Sequence, residues 1–286
     1  MIQRIPETTQ LELEQETKML RGKLLIGEET PIGNDLPLVL QRLDIILLEY
    51  PIPRKGSDSF SAIFCNRKVD EQDMFFIGVN SWDYYDRQLF AIAHEIYHYL
   101  HPTVPHISRE IASQNSTEQR ADWFAAELLL PLRTLKSQIV QAFGKTEISE
   151  LPFLTLLRFI ARIQCIWWIP FKSIVHRLYE ANAVNDSIYQ KLFALDERKD
   201  DVYIRIGKAT SAETFQLLNT RTLRQGTDSI NLEPCLRNYE DGIITEEELY
   251  DGLMLFHRNP QDFGISFGAD DDEEDVPESG GADYDS

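Results

Sequence analysis

The sequence predicts an α+β protein: a small antiparallel sheet packed on a helical core, followed by a small C-terminal accessory region and a disordered acidic tail. Three observations predict it. Three apolar runs of strand composition fall between Asp44 and Asn80, helical periodicity dominates from Arg87 to Leu195, and the stretch Asp270 to Ser286 holds nine carboxylates and no basic side chain. At 286 residues and 43% hydrophobic content, the chain can bury one substantial core and one smaller region. The expected divisions are an N-terminal helical segment (1–33), a main domain (34–196), an accessory region (197–268) and the tail (269–286).

Thr9 to Leu25 reads as a charged helix, a lid or docking segment. Asp35 to Leu43 is a short helix capped by Asn34 or Asp35. Asp44–Tyr50, Ser59–Arg67 and Phe75–Asn80 are strands. Arg87 to Leu100 is an amphipathic helix with Leu89, Phe90, Ala93, Ile96, Tyr97 and Leu100 as its apolar stripe, and Pro102 stops it. A second helix runs from Ser116 to Leu130, with Asn115 or Ser116 as N-cap, Gln119 completing a capping box, and Pro131 ending it. Leu132 to Leu195 is helical, with Arg158 and Arg162 on one exposed edge and Trp167 and Trp168 in the core. Val202–Ile206 reads as a strand, followed by helices, one of them capped by Thr245 with Glu248 as its box partner. A calcium loop over the same stretch is excluded, because Arg237 and Tyr239 occupy positions where carboxylates belong.

Chemistry concentrates in Ala93-His94-Glu95-Ile96-Tyr97-His98, an H-E-x-x-H motif. Residues four apart share a helix face, so His94 and His98 can chelate one metal ion. Glu95 lies about 100° round the helix, close enough to reach a water on that metal as a general base. The second helix carries Glu118 and Asp122, again four apart. A catalytic zinc takes three protein ligands and keeps one position open, which makes Glu118 the natural third ligand. Asp122 is then placed to accept a hydrogen bond from the outer nitrogen of a ligand histidine. His101, His106, Tyr97 and Tyr99 are candidates for stabilising an oxyanion, and nothing in the sequence selects among them. His176 reads as a satisfied histidine rather than a further donor, and Cys65 as a small buried hydrophobe on a strand rather than a thiolate cap on the metal.

The pattern His94-Glu95-x-x-His98 followed by Glu118-x-x-Ala121-Asp122-x-Phe124-Ala125-Ala126-Glu127-Leu128-Leu129-Leu130-Pro131 resembles the ImmA/IrrE family of metallopeptidases. Upstream, Phe75–Asn80 resembles the strand leading into the motif helix, and Arg87–Ala93 the family's approach to it, with Ala91 where Thr is usual. Downstream, Ser173 to Leu178 resembles the helix that packs behind the active site. The resemblance covers roughly residues 35–185. It implies a zincin-like helical core and a zinc endopeptidase acting on a partner protein. That partner would be a separate helix-turn-helix repressor in a stress-response or mobile-element system.

Composition fits an enzyme of the cytoplasm. The chain shows no apolar run long enough for a membrane span and no signal-peptide pattern, and its three cysteines (Cys65, Cys165, Cys235) form no C-x-x-C pair. The net charge of −19 argues against direct nucleic-acid binding. Nine of those charges belong to the tail, so the remainder still carries −10. The tail reads as a solvating brush or, alternatively, as an anionic competitor for the basic face of a repressor. Zn²⁺ suits the His/His/Glu set, with manganese and iron compatible. Two other classes fit the same residues: a non-catalytic metal-stabilised protein that sequesters its partner, and a toxin–antitoxin component. Glu95 argues against the first, since a purely structural site has no use for a general base.

Overall fold

The computed structural model describes residues 5–53, 60–69, 72–102, 107–109, 116–227, 232–254 and 256–266. The tail from 269, His106 and Asn115 lie outside the described residues, as does the side chain of Ser116. The chain divides into two units, Met1–Asp228 and Ser229–Ser286.

In the first unit, α1 (Glu7–Lys23) and α2 (Leu36–Arg42) precede β1 (Ile45–Tyr50), β2 (Phe60–Val69) and β3 (Gln72–Asn80). Next come α3 (Tyr85–Leu100), β4 (Ile107–Arg109) and α4 (Ser116–Leu129). The helices α5 (Leu132–Phe143), α6 (Phe153–Trp167), α7 (Phe171–Glu180), α8 (Asp186–Phe193), α9 (Asp201–Thr210) and α10 (Ala212–Leu218) follow. Pro6, Pro131, Pro152 and Pro170 stand immediately before α1, α5, α6 and α7. There proline's fixed φ suits the helix entry and its missing N–H removes no helical hydrogen bond. Asn185 and Asp200 cap α8 and α9 by accepting from the backbone N–H of Ile188 and Tyr203.

The sheet has the order β1-β3-β2-β4 and is mixed, which corrects the antiparallel expectation. β2 pairs antiparallel with β3 and with β4, but β1 lies on the far side of β3 and runs parallel to it, with Ile45 opposite Phe75 and Leu47 opposite Ile77. An apolar run marks a strand without naming its neighbour, and only the crossover from β1 to β2 decides the direction. Ile45 and Leu47 of β1, Ala62 and Phe64 of β2, and Ile77 and Val79 of β3 are buried at the two-residue spacing of a sheet's inner face. α3 packs against β2, β3 and α4. That enclosure explains why its histidines are buried along with its apolar stripe.

α1 is part of this core rather than a lid over it. Leu13, Thr17, Leu20 and Arg21 are buried, and the Arg21 guanidinium donates to the carbonyls of Leu128, Gly27 and Thr30. Val202–Ile206, expected as a strand, is helical within α9. β-branched propensity there is overridden by the Asp200 cap and by packing on α6, which buries Tyr203 completely. The segment 196–218 is tied to the start of α3 by a buried network. Arg198 donates to both oxygens of Asp86 (2.7 and 2.9 Å), Gln164 donates to Asp86 (3.2 Å), and the Tyr203 hydroxyl donates to Gln164 (2.8 Å).

α9 and α10 approach so closely at Gly207 that a Cβ there would fall 2.1 Å from a ring carbon of Phe215. Phe215 is itself buried and stands edge-on to Tyr203, so the ring has nowhere to go. Gly207→Ala should therefore lower stability by about 1–3 kcal/mol in urea unfolding, with partial recovery when Phe215→Leu is added. An unchanged midpoint would refute this packing.

Within the second unit, α11 (Glu233–Glu240) and α12 (Glu246–Met254) enclose a core of Leu232, Leu236, Leu249 and Leu253. The capping box read from the sequence is present: Thr245 N donates to Glu248 Oε2 (2.8 Å) and Glu248 N to Thr245 Oγ1 (3.2 Å). Among the described residues no single helix is long and apolar enough to cross a membrane; α6 and α7 are apolar together but bent by 110°.

Candidate metal centre

α3 and α4 bring the site together. His94 and His98 project from one face of α3 towards Glu118 in the first turn of α4, and all three side chains are buried. One ligand atom from each lies within 4.8 Å of the others. His94 Nε2 is 3.2 Å from Glu118 Oε2, His98 Nε2 is 3.3 Å from Glu118 Oε1, and the two Nε2 atoms are 3.3 Å apart. Ligands about 2.1 Å from a tetrahedral ion sit roughly 3.4 Å from one another, so these spacings fit a metal of that geometry. The two helices pack against each other, and Ala93 of α3 and Ala121, Phe124 and Ala125 of α4 are all buried in the same core.

Asp122, one turn beyond Glu118, accepts from His94 Nδ1 at 2.9 Å, which leaves Nε2 directed at the cluster. Burial disfavours a charge on His94, but the hydrogen bonds to Asp122 and Glu118 and the nearby carboxylates outweigh it, and its pKa is pushed up to about 10. Burial acts to raise the pKa of Glu118, and its hydrogen bonds with His94 and His98 hold it well below the usual carboxylate range instead. The cluster thus carries a strong demand for positive charge, which protons satisfy and a divalent cation can satisfy in their place.

Glu95 is 1% exposed and adds its charge to the field at His94. A carboxylate so deeply buried is costly unless hydrogen bonds and neighbouring charges compensate it. Cys65 lies outside the cluster and is exposed on β2, contrary to its expected burial. The oxyanion candidates among the described residues each have a neighbour outside the cluster. His101 meets Glu16 Oε1 at 2.6 Å, the Tyr97 hydroxyl accepts from Arg120 Nε at 3.1 Å, and Tyr99 stands edge-on to Phe64 and Phe75. His176 lies against Tyr189, whose hydroxyl is 3.2 Å from Nδ1.

Behind α4, Arg177 of α7 is completely buried and clasps Glu127, Glu180 and the Leu130 carbonyl, while Glu127 also accepts from Leu132 N. Sequence reading placed Arg177 in a helix behind the site but gave it no partner, because Glu127 lies fifty residues away.

The family model for the IrrE N-terminal-like domain, Peptidase_M78, matches residues 46–178. This stretch belongs to the M78 peptidase family. The M78 match begins in β1, ends in α7, and contains every member of the His94, His98, Glu118 cluster together with Glu95 and Asp122. M78 peptidases are metal-dependent, in keeping with the buried cluster. No curated protein matches the chain.

Proposed function

We propose that the chain is a zinc-dependent endopeptidase that hydrolyses a peptide bond in a partner protein. The observation carrying this reading is the buried His94, His98, Glu118 cluster beside Glu95 in an M78 domain. Zinc, when bound, supplies a Lewis acid and an open position for water or substrate. His94, His98 and Glu118 would hold it, and Asp122 fixes the tautomer and orientation of His94 through Nδ1. The Glu95 carboxylate takes a proton from the attacking water and returns it to the leaving amine.

In this proposal the substrate backbone adds to the β4 edge of the sheet. At the other edge β1 is already covered, since Glu49 exchanges two backbone hydrogen bonds with Gly226 (2.8 and 2.9 Å). The partner we favour is a separate helix-turn-helix repressor in a stress-response or mobile-element system. Its basic DNA-contacting face would be drawn to a chain of net charge −19.

Elemental analysis of the wild type and of Glu118→Ala tests the site. The expected result is about one zinc per chain, lost or greatly weakened in the variant. A wild type that takes up no metal when zinc is supplied would overturn the enzyme reading in favour of a sequestering protein.

A further inference from the structure

A cavity of about 500 Å³ opens between α5, α6 and α9, lined by Phe143, Phe159, Ile206 and two arginines of α6, Arg158 and Arg162. Two like charges four apart on one helix oppose its formation. Four of the chain's other arginines pair with carboxylates: Arg120 with Glu12, Arg177 with Glu127 and Glu180, Arg198 with Asp86, and Arg237 with Glu233.

Arg158 and Arg162 differ. The Arg158 guanidinium donates to Thr155 Oγ1 (3.1 Å) and that of Arg162 lies 5.3 Å from the centre of the Phe159 ring. Among the described residues neither forms an ion pair. What sets these two apart is position: both line the same cleft, one helical turn apart on α6. Two uncompensated guanidiniums facing a partly apolar cleft are the donor set for an anionic headgroup carrying a flat apolar body.

We infer that this cleft binds a small organic anion, its phosphate or carboxylate held by Arg158 and Arg162 and its ring set against Phe143 and Ile206. The site is separate from the metal cluster, and the inference does not rest on the peptidase reading.

Calorimetric titration of the full chain with phenyl phosphate and with benzoate tests it, with benzyl alcohol as the uncharged control. These probes share a ring, so the anion that binds more tightly identifies the headgroup. At least one anion is expected to bind and benzyl alcohol is not. Arg158→Gln and Arg162→Gln should each weaken binding by about tenfold. Both side chains are exposed, so the variants should keep the wild-type circular dichroism and metal content. The inference is overturned if neither anion binds the wild type at millimolar concentration, if the double variant binds as tightly as the wild type, or if benzyl alcohol binds equally well.

Discussion

Glu95→Gln is expected to keep its metal while cleavage of the partner protein falls by about 10²- to 10⁴-fold, the range general-base catalysis contributes. The side chain is 1% exposed and follows the ligand His94 directly on α3. Glutamine has the same size and shape, so the histidines and Glu118 should stay in place. The lost property is the ability to accept a proton. Glu95→Asp separates charge from position: it restores a carboxylate but withdraws it by one methylene, and misplacement of about 1 Å can cost about 100-fold in rate. Aspartate should therefore remain far below the wild type. Metal content by elemental analysis and turnover on the partner check both variants. Turnover of Glu95→Gln within about tenfold of the wild type would rule out the assigned role.

The geometry of the candidate site was largely legible because helical spacing is local. His94 and His98 share a face by helical geometry, Glu118 and Asp122 repeat that spacing, and the structure unites them across two consecutive helices of the chain. The helices of the α6 to α8 region were legible for the same reason. The errors arose where a non-local partner decides the outcome. The direction of β1 depends on a crossover, and the strand expected at Val202 became helix because α6 buries Tyr203. α1 looked like a surface lid because its composition is charged, whereas Leu13, Leu20 and Arg21 supply a narrow buried stripe. The bond from Arg198 to Asp86 spans 112 positions and leaves no periodic trace, since charged residues in sequence ordinarily signal a solvated surface.

The buried clasp behind α4 predicts a large loss of stability on substitution. Arg177→Met would remove a guanidinium that is fully enclosed, donates to Glu127, Glu180 (2.9 Å) and the Leu130 carbonyl (3.0 Å), and lies over the Trp123 ring at 5.0 Å. Burial opposes the charge on Arg177, and the two carboxylates maintain it. Methionine fills much of the volume but strands the Glu127 carboxylate, which is 5% exposed and retains one backbone donor from Leu132 at 3.1 Å. Breaking one side of such a pair costs about 3–5 kcal/mol, which shifts the melting temperature of a unit this size by roughly 6–20 °C. Adding Glu127→Gln should recover part of the loss by removing the stranded charge, so the double variant should be more stable than the single one. Thermal and urea unfolding measure both, and a loss under about 1 kcal/mol in Arg177→Met would refute the clasp. Because Glu127 lies on the same helix as Glu118 and Asp122, loosening the end of α4 should also weaken metal retention, whereas a clasp confined to local packing would leave it unchanged.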